Sequence, residues 1–502
     1  MKFPWKKKWL RRFGQAVLVA VSLLLLAAVI LNWWGARKRN QIARELQSEG
    51  LPIAVSGLLA PLPPDELNFG KVPSIALADS LACVQPWENR EVVAAQKLFI
   101  GMDIGLPPDT TKPAREQDFR RWMAQDQRRG FTTGPRPPKA GEIVDPVVDA
   151  AAFLKDYDTK YADVLTVLRE AISRPLSQSS WLQDHISDRD WNLPFEGNSN
   201  VVWKRTAVRG MMFRGYGGVV AGEPESALES LEIGYRMTEW HVSEGSLMPV
   251  VVGMCNLGDL RGVLKAGLQG GIWNKNQITR LETLLARIDM VKAARNALLL
   301  ENAIQLSGID YLQQRPAQLP VYWNGYPMTL QVWSRKWMIG QACRLIPRGW
   351  FDANAARLLE EHRLRMASFD EPGILARWWR GCEEMAGTPI TDMGEGRSRQ
   401  GNYLELPPWS PSYGLFFRLV ASTTVSVRQA RLACALERYR LDHDRYPASL
   451  DEIGGELIVD PANGRPFRYE IGSSGYHLYS VGPDGGNTAG TPPSGIVSNG
   501  VW

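Results

Sequence analysis

Residues 16–31 read AVLVAVSLLLLAAVIL, carrying no charge and one hydroxyl, Ser22. With Trp33 and Trp34 the run reaches roughly the 20 residues that cross a hydrocarbon core. No soluble fold leaves such a stretch in water, so the rest of the chain is built around it. Lys2, Lys6, Lys7, Lys8, Arg11 and Arg12 precede it, and Arg37, Lys38 and Arg39 follow. The heavier basic side stays cytoplasmic. This predicts one span, with Met1 inside and the bulk of the chain outside. A cleaved signal peptide needs small residues at its exit, whereas Asn32, Trp33 and Trp34 stand there. The flanks of Arg11-Arg12 do not match a twin-arginine signal. The run therefore reads as an uncleaved signal anchor.

A chain of 502 residues has room for two to four domains. Nine basic residues flank the span, so the net charge of +5 leaves the remainder close to neutral. That argues against a nucleic-acid partner. The nineteen tryptophans read mainly as helix-packing residues. Cys83, Cys255, Cys343, Cys382 and Cys434 contain no C-x-x-C pair, against zinc or thioredoxin-like chemistry. An odd count leaves at least one thiol free, with room for one or two disulfides outside the cytoplasm.

The periodicity divides the chain into five parts. Residues 1–50 hold the basic tail, the span and a charged juxtamembrane helix that Gly50 and Pro52 stop. Residues 51–146 are rich in Pro and Gly and read as extended, apart from a helix expected over 88–102. Residues 147–385 carry helical stripes, with helices expected over 150–173, 201–220, 223–239, 247–268, 276–306, 331–345 and 354–385. Between the second and third, Pro224 sits at a first helical position with acids beside it. Gly222 at that turn, followed by Ala227-Leu228, resembles one tetratricopeptide unit. Residues 386–412 form a connector, and 413–502 a long helix over 413–443 plus a small α+β module. The fold class is thus mainly α, with a single transmembrane helix, a solenoid-like helical domain and a C-terminal module.

In that last part a helix ends at Tyr446-Pro447, Asp460-Pro461 follows, and residues 467–471 and 476–480 alternate around a Gly-Ser-Ser-Gly turn. Pro447 biases Tyr446 to extended geometry, which should fold its ring over the hairpin. Ala435, Leu436, Tyr439, Arg440, Tyr446, Pro447, Asp460, Pro461, Gly464, Pro466, Tyr469, Tyr476, Leu478, Ser480, Gly482, Asp484 and Gly485 together resemble the globular domain of type II secretion major (G-type) pseudopilins. The similarity covers about 70 residues. Large envelope proteins of planctomycete- and verrucomicrobium-like bacteria carry similar modules. The resemblance implies a bacterial inner-membrane protein with a periplasmic bulk and an envelope or secretion component as partner. It also implies Ca²⁺ at Asp484. One carboxylate is a poor match for an ion that takes six to eight oxygens, so tight binding at Asp484 is not expected. The Glu that a prepilin site places five residues after Gly14 is absent here, where Val19 stands.

Catalytic signatures are sparse. There is no H-E-x-x-H, G-x-S-x-G, S-x-x-K or G-x-x-x-x-G-K. Glu360-Glu361-His362 reads as a charged helix face, and Asp442-His443-Asp444 as the solvated C-cap of a helix. Glu301 lies in an apolar helix and is a candidate buried carboxylate. The sequence thus favours a membrane-anchored envelope scaffold or binding protein with no cofactor and no catalytic residues. The rival is an envelope hydrolase using Glu301 or Glu360.

Overall fold

The apolar run and the charged segment after it form one uninterrupted helix, α1 (Trp5–Ser48), of 44 residues. The span and the juxtamembrane helix are thus continuous. No proline falls inside α1, so nothing breaks the hydrogen-bond ladder before Gly50, whose φ of 74° ends it. At 1.5 Å per residue α1 is about 66 Å long. Its first part is exposed on every side, with Leu18 at 69% and Leu24 at 70%. It is long and apolar enough to cross a membrane. The structure is a computed structural model that describes residues 5–59, 61–79, 90–102, 119, 145–180, 198–319, 340–371, 373–380, 413–472 and 475–482.

The second half of α1 is welded to the body. Ile42 and Leu46 are buried in the main core. α11 (Arg348–Ser368) runs alongside in the same direction: Gly349 meets Asn32 and Gly35, Arg39 bonds Asp352, and Arg363 reaches Glu45 and Glu49. A Cβ on either Gly35 or Gly349 would collide with the opposite backbone, so this glycine pair sets how closely the two helices approach. Asn32 Oδ1 accepts the Gly349 amide at 2.6 Å and satisfies an otherwise unpaired donor at the start of α11.

The body is helical. After α2 (Pro73–Asp79) and α3 (Arg90–Ile100) come α4 (Pro146–Lys160) and α5 (Ala162–Ser173). The sequence predicted one helix there, but Tyr161 leaves helical geometry with ψ 20° and its hydroxyl bonds the Gly101 carbonyl. A tertiary contact thus overrides a continuous pattern. α6 (Asn198–Ala221) and α7 (Pro224–Val242) form the expected hairpin across Gly222, followed by α8 (Leu247–Gly270). α8 is also long and apolar enough to span a membrane, but half of its most apolar window is buried inside the protein.

The predicted helix 276–306 is also two: α9 (Lys275–Ala286) and α10 (Met290–Gln314). Asn274 and Gln277 make a reciprocal capping box at the first. Asp289 caps the second through the Lys292 amide at 2.9 Å, so a side chain competes with the ladder at the break. The segment expected at 354–385 is α11, a turn with Gly373 at φ 73°, and α12 (Ile374–Arg380). The last helix, α13 (Tyr413–His443), has the expected bounds and packs on α8, α9, α10 and α12. The helix at 331–345 lies almost wholly outside the described residues, as does the connector at 386–412.

Among the described residues the only sheet is the antiparallel pair β1 (Arg468–Gly472) and β2 (Gly475–Tyr479). Tyr469 faces Leu478 and Ile471 faces Tyr476, the expected register. Leu478 and Phe467 enter the core, while Ile471 stays 54% exposed at the hairpin tip. Tyr446 meets Tyr476 with ring centres 5.0 Å apart, but its ring is half-buried and its hydroxyl bonds Glu437 at 2.6 Å. Asp460 is buried and accepts from Ala462 N, Asn463 Nδ2 and Ser480 Oγ. It thereby ties the Asp-Pro turn to the end of β2.

Candidate functional site

On α7, Glu225, Glu229, Glu232, Arg236 and Glu239 recur every three or four residues and so share one stripe. The opposite face, with Ala227, Leu228, Leu231 and Tyr235, is buried. Glu225, Glu229, Glu232 and Arg236 floor a groove of about 840 Å³ walled mainly by α5 and α9. α5 and the residues after it contribute Arg169, Ser173 and Arg174, and α9 and the residue after it contribute Thr279, Arg280, Thr283 and Arg287. Wall arginines reach floor acids from both sides. Arg169 grips Glu229 with two bonds of 2.7 and 3.0 Å. Arg280 meets Glu232 at 2.7 Å, and Arg287 meets Glu239 at 2.9 Å. Gln277 closes one end on Glu225 at 2.6 Å.

The lining holds six arginines against four carboxylates, so the groove leans positive. Burial pushes Glu229 up, but Arg169 and Arg214 more than offset it and hold it below the usual carboxylate range. In Glu232 burial prevails over Arg280, and the neighbouring Glu225 and Glu229 add to the rise. Burial also lowers Arg236, which donates to the carbonyls of Arg174 and Pro175, while its Nε is buried without a partner. The hydroxyls of Ser173, Thr279 and Thr283 donate to carbonyls of their own helices and keep lone pairs free to accept.

The far end of α7 carries charge of a different kind. Lys204 on α6 is fully buried between Asp79, 2.7 Å away, and Glu244. Its ammonium also lies 4.1 Å from the centre of the Trp240 ring. Burial disfavours the cation, yet the two carboxylates outweigh it and raise Lys204. Burial raises Glu244 to about 7, and the negative charge of Asp79 adds to the rise. Two carboxylates share one lysine, and the second one tends to hold a proton. His241 beside them is buried with neither ring nitrogen partnered. Burial and then Lys204 hold it well below the ordinary histidine range.

The sequence candidates do not converge. Glu301 on α10 is half-buried, accepts from Gln305 at 3.1 Å and is raised by burial. Glu360 on α11 is exposed and paired with Lys38 at 3.0 Å. These two candidate acids share no partner. Glu361 pairs with Arg357 and Arg365, whereas His362 next to it points into the core. Asp442 bonds Lys275, and His443 stacks on Tyr439 at 4.0 Å. Among the described residues no three His, Cys, Asp or Glu side chains are grouped to hold a metal ion. Asp484 lies outside the described residues, as do Cys83 and Cys382. Cys255, Cys343 and Cys434 are free thiols.

Sequence reasoning missed the groove. Its floor was legible as a charged stripe at helical spacing, but the walls come from helices about 50 residues away on either side, and no local pattern joins them. No family model, curated protein or solved structure matches this chain.

Proposed function

We propose that this protein is a membrane-anchored helical scaffold that binds an extended, acidic peptide segment of an envelope protein in the α5–α7–α9 groove. The observation that carries the reading is the arginine-walled groove over a charged floor. From Glu225 to Arg236 the floor is about 17 Å long at helical rise, which an extended hexapeptide of about 20 Å spans. Arg169 and Arg280 have half-exposed side chains, so their outer N–H edges are open to a ligand carboxylate. The wall hydroxyls accept from a peptide backbone.

In this reading α1 is an uncleaved anchor in a bacterial inner membrane with the body on the periplasmic side. Its support is the docking of Gly35, Ile42 and Leu46 into the body. The packed helices form a solenoid-like domain, and residues 413–502 a pseudopilin-like module that displays a second surface to envelope or secretion components. Support for the module is the order of long helix, Tyr-Pro corner, buried Asp460 turn and hairpin.

The test uses the full chain in detergent and a fluorescent hexapeptide of alternating Glu and Ser. Saturable binding that weakens as salt rises supports the reading. Equal binding of a Lys/Ser peptide refutes it, and preference for a polyuronate replaces the peptide by an acidic glycan.

A further inference from the structure

The end of the body that faces the apolar half of α1 carries a second basic surface. α11 runs parallel to α1 and starts level with Leu31 and Asn32, where Gly349 packs on the α1 backbone. Residues 344–348, just before Gly349, therefore lie beside the end of the apolar run. Residues 344–346 turn there, and Leu345 at the turn is 85% exposed, the most exposed large apolar side chain among the described residues. Arg344 and Arg348 flank it, both exposed.

Arg315 and Arg37 complete the patch. Arg315 follows α10, whose end is fixed at this level by the Gln313 bond to the Arg348 carbonyl at 3.1 Å. Its guanidinium lies 4.5 Å from the centre of the Tyr311 ring. Arg37 stands over Trp33 at 5.4 Å. The nearby acids are engaged elsewhere: Asp310 and Asp352 hold Arg39, and Glu360 holds Lys38. Trp33 and Trp34 are exposed at the same level, where indoles suit the headgroup boundary. An exposed leucine among four arginines that pair with no carboxylate among the described residues, continuous with an apolar helix, has the chemistry of an interfacial contact and not of a water-facing loop.

We infer that the 344–348 turn is a membrane foot. Leu345 enters the outer acyl region, and Arg37, Arg315, Arg344 and Arg348 bind the phosphates of anionic phospholipid. The inference rests on α1 spanning the bilayer and is independent of what the groove binds. With α1 it makes a two-point attachment that fixes the tilt of the body against the membrane.

The test places the full chain in nanodiscs of phosphatidylcholine with or without phosphatidylglycerol. A photo-crosslinking residue replaces Leu24 within the apolar run, Leu345, or Leu364, which is exposed far along α11. Lipid adducts are read by mass spectrometry. Adducts at positions 24 and 345 but not 364, enriched in phosphatidylglycerol at 345, are expected. Arg344→Glu with Arg348→Glu should reduce that enrichment by about fivefold per arginine. Adducts at 24 with none at 345 overturn the foot and leave the anchor intact. Adducts at 345 indifferent to phosphatidylglycerol overturn the headgroup assignment. No adduct at 24 removes the anchor, and the foot with it.

Discussion

The two ends of α7 hold the same kinds of side chain to opposite ends. Toward its start, Glu225, Glu229 and Glu232 face a groove open to water, and arginines from α5 and α9 cross above them. Just past its end, Glu244 meets Lys204 and Asp79 under two tryptophans, closed off from solvent. Charge in the first place is cheap to keep and free to meet a ligand. In the second it is expensive to bury and can only be structural. Composition alone would not separate them; exposure does.

The largest expected effect belongs to the dry end. Lys204→Met leaves two buried carboxylates without their cation, and breaking a buried pair on one side costs about 3–5 kcal/mol. Chemical denaturation should show a loss of that size, with most of it recovered when Asp79→Asn and Glu244→Gln are added. A loss below about 1 kcal/mol would mean that water reaches the cluster and that the contrast is wrong.

The next effect is one of pH. Glu244 is raised in the folded protein from an ordinary 4.5 to about 7. A carboxyl raised on folding stabilises below its unfolded value, and that contribution is lost as pH rises through about 7. His241 works the other way, since its depressed folded value removes stability as pH falls below about 6.5. Glu244→Gln removes the first dependence alone. Relative to the native chain it should gain stability on the order of 3 kcal/mol between pH 4.5 and 8. Parallel stability curves for the two proteins would place Glu244 in contact with solvent.

The wet end should respond least in stability. Arg169 and Arg287 are partly exposed, and exposed pairs contribute about 0–1 kcal/mol. Arg169→Ala and Arg287→Ala should each shift the unfolding midpoint by no more than that. A loss of several kcal/mol from either would make the groove part of the core.

Much of this fold is legible in the sequence, because local chemistry decides it. The bounds of α13, the hairpin register and the α6–α7 turn follow from Pro, Gly and alternation. The breaks within 146–173 and 275–314 were missed because Tyr161 and Asp289 act through contacts that a helical stripe does not encode. The candidate site was legible only by half. The α7 stripe is periodic, but Arg169 and Arg287 meet it only after α5, α7 and α9 have packed. Lys204 gave no signal at all, since nothing local says that a lysine next to Trp203 will be dry.

The contrast comes down to whether the α7 stripe binds a ligand. The direct measurement is the affinity of the Glu/Ser hexapeptide for the full chain and for Arg280→Glu with Arg287→Glu, alongside the unfolding midpoint of each. The account predicts at least a tenfold loss of affinity, with the two midpoints separated by no more than the modest cost of exposed pairs. Unchanged affinity in a folded double variant would contradict it.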